Sequence, residues 1–147
     1  MDLNETLNAK GALTVTVKDY QGNVKQEFNV PNLVVTVGKN YIASRMASNS
    51  ATVMSHMAIG TGTGSPAAGD TTLGTEAGRV SLSSFSASTN TVTATATFPA
   101  GTGTGAITEA GILNGSSTGT LLCRTTFPVV NKASGDSIAI TWVITVS

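Results

Sequence analysis

Apolar residues recur at every second position over much of this chain, the period of a strand with one buried face. Leu13, Val15 and Val17 alternate with Thr14, Thr16 and Lys18. Tyr20-Gln21-Gly22-Asn23 then reads as a turn, and Val24 to Val30 as the returning arm of a hairpin that Pro31 interrupts. Leu33 to Val37 is a short apolar run. Ile42 and Met46, four apart, predict the one helix, Lys39 to Ala47, with Lys39 and Arg45 facing water. Val53 to Ile59 reads as a strand that leads into a long segment, Gly60 to Gly78, whose Gly, Pro, Thr and Ser content forbids regular structure. Alternation resumes at Val80 and Leu82. Val92, Ala94, Ala96 and Phe98 then share one face, opposite Thr91, Thr93, Thr95 and Thr97. Strands at Ala106–Leu113 and Gly119–Phe127 flank a turn at Asn114-Gly115-Ser116-Ser117. The last strand sets Ile138, Ile140, Trp142, Ile144 and Val146 against Ala139, Thr141, Val143 and Thr145.

About eight strands with closely spaced turns and one short helix predict an all-β fold, a β-sandwich or jelly-roll. Residues 1–10 read as a polar N-terminal arm carrying Leu3 and Leu7, and 11–147 as a single domain. The full 147 residues suffice for a domain that buries roughly 70% of its unfolded surface.

Composition narrows the function. Charged residues make up 11% of the chain, against about 25% in an average soluble domain. Eight basic and eight acidic residues cancel, so no basic field is expected to draw nucleic acid or an anionic membrane. A near-neutral, hydroxyl-rich surface loses little hydration energy when covered, which suits a protein packed against neighbours. Cys123 is the single cysteine; it forms no intrachain disulfide and reads as a small buried apolar side chain. No signal-peptide pattern opens the sequence and no apolar run has transmembrane length, so assembly in a host cytoplasm is expected.

A glycine-threonine motif occurs twice before the same four residues. Gly60-Thr61-Gly62-Thr63-Gly64 precedes Thr75-Glu76-Ala77-Gly78, and Gly101-Thr102-Gly103-Thr104-Gly105 precedes Thr108-Glu109-Ala110-Gly111. The first copy lacks the spacing and the following helix of a dinucleotide fingerprint; the glycines are expected to supply positive-φ turns where the chain leaves a sheet. Glu76 and Glu109 are expected to accept backbone hydrogen bonds or to pair with Arg79 and Arg124, holding long loops against the sandwich. His56, the single histidine, reads as a hydrogen-bonded structural residue. With one His and one Cys no zinc spacing exists, and no nucleophile signature is present. No catalytic activity, cofactor, metal or small-molecule substrate is expected.

Asn32-Leu33-Val34-Val35, Gly38-Lys39-Asn40-Tyr41-Ile42-Ala43 and Ser55-His56-Met57-Ala58-Ile59-Gly60-Thr61-Gly62 occur in order, followed by Pro66, Thr72, Leu73, Glu76 and Arg79. Phe98-Pro99, Ile107 to Asn114, Gly119 to Arg124 and Pro128 to Lys132 complete the series. It resembles tailed-phage capsid cement (decoration) proteins and also the N-terminal region of phage tail-collar fibre proteins. The resemblance implies a virion structural protein. With the last strand at the end of the sequence, the expectation is a capsid cement protein on the outside of the head, bound to the major capsid protein and self-associated as a dimer or trimer. The alternatives are a tail, baseplate or tail-fibre adaptor and a carbohydrate-binding module of the virion surface. The expected contact residues are Leu3, Leu7, Gly60, Gly62, Gly64, Arg79, Gly101, Gly103 and Gly105.

Overall fold

The alternation centred on Leu13–Val17 extends in both directions to form the ten-residue strand β1 (Ala9–Lys18). It pairs antiparallel with β2 (Val24–Pro31) on one side and with the last strand, β10 (Ser137–Val146), on the other. The computed structural model describes residues 3–48 and 50–147; Met1 and Asp2 of the expected arm, and Asn49, lie outside the described residues. Among the described residues the remaining elements are β3 (Leu33–Val34), α1 (Thr36–Ala47), β4 (His56–Gly60), β5 (Glu76–Ser81), β6 (Ser84–Ser88), β7 (Thr91–Phe98), β8 (Gly105–Leu113) and β9 (Leu121–Lys132).

These strands form two five-stranded antiparallel sheets, ordered β2-β1-β10-β7-β6 and β3-β9-β8-β4-β5. The fold is therefore an all-β sandwich with one short helix. Leu13, Val15, Val17, Ala94, Ala96, Phe98, Ile138, Ile140 and Trp142 come from the first sheet, and Met57, Ile59, Ile107, Ala110, Ile112, Cys123 and Val130 from the second. Phe28 of β2 and Phe127 of β9 meet along one side of the sandwich with centroids 5.4 Å apart.

The two sheets have different outer faces. The first presents threonines: Thr91, Thr93, Thr95 and Thr97 stand opposite Thr145, Val143, Thr141 and Ala139. The second is covered on its outer face as well. Val35, Ala58, Leu73, Leu113 and Leu121 form a second buried cluster there, beneath the start of α1 and the 61–75 loop. This explains why β8 is buried almost throughout instead of alternating.

Five expectations shift. Ten strands form where about eight were expected, because β6 has only Phe85 and Ala87 among serines and carries no apolar run to announce it. The helix begins at Thr36, not Lys39. Its first turn contains Gly38, a poor helix former, but Gly38 is buried against the Leu122 carbonyl, where any side chain would overlap backbone. β9 runs through Pro128 to Lys132 instead of stopping at Phe127, aided by a shift in its pairing with β8 between Ile107 and Glu109. β5 starts at Glu76, inside the segment expected to be irregular. The polar arm shortens too: Asn8 exchanges backbone hydrogen bonds with Ser147, and strand begins at Ala9.

Candidate functional site

The shift in β8 creates the most densely bonded polar centre of the molecule. Ile107 and Ala110 both face the core although three positions separate them, because the pairing is irregular there: the two steps of β8 from Ile107 to Glu109 lie against four steps of β9, from Val130 to Thr126, so the extra residues sit on β9. Glu109 consequently points out of the core, under the 61–75 loop, and is fully buried. Its Oε1 accepts the Gly62 and Thr75 amides at 2.9 and 2.7 Å, and its Oε2 accepts the Gly74 amide at 2.8 Å. Arg124 on β9 donates Nε and Nη2 to the same Oε2 at 3.0 and 2.9 Å. It also reaches Asp70 with Nη1 at 2.8 Å and the Gly64 carbonyl with Nη2 at 2.8 Å. Thr108 donates to the Gly62 carbonyl at 2.6 Å. One carboxylate and one guanidinium thus hold both ends of the 61–75 loop to the sheet. The Ala68 carbonyl of that loop in turn accepts the Thr36 amide at 2.8 Å, occupying a donor at the N-terminus of α1.

The repeated motif gains a geometric meaning here. β4 lies between β5 and β8, and Gly60 stands opposite Glu76 on one side and Glu109 on the other. The two Thr-Glu-Ala-Gly copies therefore flank one strand. Their glutamates differ in environment: Glu109 is buried, whereas Glu76 is exposed and pairs with Arg79, three residues further along β5, at 2.6 Å. Arg79 spends its other donor on the Gly115 and Thr118 carbonyls, at 2.7 and 2.8 Å, pinning the β8–β9 turn. The expectation that Glu76 and Glu109 pair with Arg79 and Arg124 and hold loops agrees with this geometry.

The glycines separate into two kinds. Gly101, Gly103 and Gly105 have φ of +84°, +66° and +134°, as expected of turn glycines. Gly60, Gly62 and Gly64 do not show positive φ, which corrects the expectation for the first copy. Gly60 and Gly62 are glycine because a Cβ at either would come within 2.5 Å of Glu109 Oε1. A Cβ at Gly64 would meet open space. Gly62→Ala is therefore expected to lower stability by about 1–3 kcal/mol through forced displacement of the loop. Gly64→Ala should stay within about 0.5 kcal/mol. Urea denaturation of the two variants side by side checks this; equal effects would remove the assigned role of the Glu109 contact.

The remaining expected contact residues lie apart. The first copy and the turn at 101–105 meet where Gly78 abuts Gly103, and a Cβ on Gly78 would stand 2.9 Å from the Gly103 amide nitrogen. Leu3 and Leu7 are exposed, and Leu7 lies at the other end of the first sheet, near the Ala9–Val146 pair. Leu7 lines a shallow apolar groove with Ile42, Met46 and Val146. The structure thus brings the glycine segments and Arg79 around the second sheet and leaves the arm elsewhere.

A second polar cluster escaped the sequence reading. Lys132 is buried and donates Nζ to the Asp136 and Pro99 carbonyls at 2.7 and 3.0 Å. The Asp136 carboxylate accepts Lys25 Nζ at 2.6 Å and the Ala133 amide at 2.8 Å. A lysine before a turn reads as solvated, and only the approach of the β7–β8 loop shows otherwise. His56 lies between Ser55 Oγ, 2.8 Å from Nδ1, and Ser81 Oγ, 3.4 Å from Nε2, on a half-buried strand position. Cys123 is fully buried, and desolvation pushes its thiol well above the ordinary range.

Burial alone would raise the Glu109 carboxyl, but the Thr75 and Gly74 amides, Arg124 and the Gly62 amide outweigh it and hold it below the usual value. The Ala67 amide and Arg124 likewise lower Asp70 against its desolvation, and Lys25 with the Ala133 amide lowers Asp136. Groups depressed in the folded state contribute stability that is complete above their unfolded values, about 3.9–4.3. That contribution is lost as pH falls through the lower folded values. The urea midpoint is therefore expected to be flat with respect to these groups from pH 7 to 5 and to fall below pH 4. A midpoint unchanged at pH 3 would contradict the assigned pairing.

The polar groups of this centre are satisfied by one another, so its geometry is that of a clasp that shapes a surface. The family model described as phage tail-collar fibre protein, N-terminal, matches residues 26–146. No curated protein and no solved structure matches the chain.

Proposed function

The chain belongs to the phage tail-collar fibre N-terminal family and is a phage virion component, and on that premise we propose that it serves in the tail, as a structural adaptor that joins a fibre to the tail or baseplate. The family match over residues 26–146 carries this reading and favours it over a capsid cement protein. The geometry supports it physically. The buried ionisable pairs are spent on fixing loops, and the threonine-faced sheet offers a weakly charged surface that a neighbour can cover at little desolvation cost. The partners are neighbouring tail proteins and further copies of the chain.

Copy number distinguishes the locations. Quantitative mass spectrometry of purified virions against the major capsid protein is expected to return a small number per particle, with antibody labelling at the tail. A ratio near one-to-one with the major capsid protein, and label over the head, would overturn the tail reading and restore the cement one.

A further inference from the structure

A strand at the edge of a sheet exposes a row of backbone donors and acceptors, and proteins guard such edges with charge, proline or short length. Among the described strands the edges are β2, β6, β3 and β5. β2 carries Lys25, Glu27 and Pro31, β5 carries Glu76 and Arg79, and β3 has two residues. β6 has no such guard. Ser84-Phe85-Ser86-Ala87-Ser88 is exposed at every position and pairs with β7 on one side only. No charged residue occurs anywhere between Arg79 and Glu109.

The strand is also symmetric about Ser86. Phe85 and Ala87 stand opposite Ala94 and Val92 of β7, so they continue the core-facing row of the first sheet beyond the cover of the second; Ser84, Ser86 and Ser88 continue the threonine row. Two copies related by a two-fold axis normal to the sheet keep the same face up. Their registers must then match core-facing residue to core-facing residue. Centring on Ser86 pairs all five positions: Ser86 meets Ser86, Phe85 meets Ala87, and Ser84 meets Ser88. Each large side chain lies beside a small one, and no charges oppose each other. A partner of different sequence would find no charge to read on this edge, whereas a second copy matches it on both faces.

We infer that β6 is a self-association edge, joining two copies of this chain through antiparallel β6–β6 pairing centred on Ser86, so that one sheet runs through both. This lies beyond the tail assignment and does not depend on it, because it is a property of the purified chain. So small an interface corresponds to a dissociation constant in roughly the micromolar range.

The register makes the test specific. With Ser86 on the axis, its two Cα atoms sit about 4.5–5.5 Å apart, within disulfide reach. Those of Ser84 are separated by about 13 Å along the strands, out of reach. Cys123 is buried and does not interfere. Sedimentation is expected to show a reversible monomer–dimer equilibrium. Ser86→Cys is expected to form an intermolecular disulfide under mild oxidation at least about ten times faster than Ser84→Cys. Ser86→Asp should weaken the dimer about fivefold or more, with the melting temperature of the monomer retained. A monomer at the highest soluble concentration, a trimer, or equal cross-linking at the two positions would each overturn the inference.

Discussion

Replacing Arg124 by alanine is expected to remove about 3–5 kcal/mol of folding stability, because it leaves the Glu109 carboxylate buried without its counter-charge. Both partners are almost wholly withdrawn from solvent, with side-chain exposures of 4% and 0%, so water cannot replace the guanidinium. The loss should be local before it is global. Glu109 would retain the Gly62, Gly74 and Thr75 amides, but Asp70 and the Gly64 carbonyl would lose their contact with the sheet. Limited proteolysis should therefore cut within 61–75 under conditions that leave the native chain intact. Glu109→Ala should be damaging in the same way, by stranding Arg124 and releasing three amides. The double variant should cost clearly less than the sum of the two, because each removes the same network. Additive costs would show that the two residues act independently. The measurement is urea denaturation of the three variants, with the slope compared as well as the midpoint.

Trp142→Ala is expected to cost a similar amount, about 3–5 kcal/mol, for a different reason. Trp142 is the largest fully buried side chain and sits in β10, the middle strand of the first sheet. It stands between Leu13 on β1 and Ala94 on β7, in register with both. Ala94 leaves room for the indole, so no neighbour can swing in to fill the space an alanine would create, and the cavity term applies almost in full. Trp142→Phe should cost markedly less. It retains most of the apolar contact and removes an indole N–H that has no acceptor among the described residues. Thermal unfolding of both variants checks the order; a phenylalanine variant as unstable as the alanine one would mean the indole N–H has a partner that matters. Neither substitution touches β6, so sedimentation of folded Trp142→Phe should match that of the native chain.

Much of the sandwich was legible in the sequence because its first sheet has one wet face. Leu13–Val17, Val92–Phe98 and Ile138–Val146 alternate strictly, and an alternating strand declares both its conformation and its buried side. The second sheet was harder to read. β8 and β9 are covered on both faces, so their apolar residues run on and their ends drift: β9 passed through Pro128, and the bulge that re-aims Glu109 left no mark in periodicity. β6 was missed for the opposite reason, since with neither face covered its only alternation is Phe85 and Ala87 among serines, too short and weakly apolar to announce a strand.

The same division holds for the polar centre. Composition and pattern by themselves determined the all-β class, the single helix and the low charge, because these depend on residue types and on short spacings; for Glu76 and Glu109 they offered either backbone acceptance or pairing with Arg79 and Arg124, and Glu109 does both. Tertiary structure alone decided which glutamate is buried, why Gly60 and Gly62 must be glycine, that Lys132 is internal, and that β6 is an open edge. Each of these depends on what a distant segment places against the residue. Burial, desolvation and edge exposure arise only when strands far apart in sequence are brought side by side.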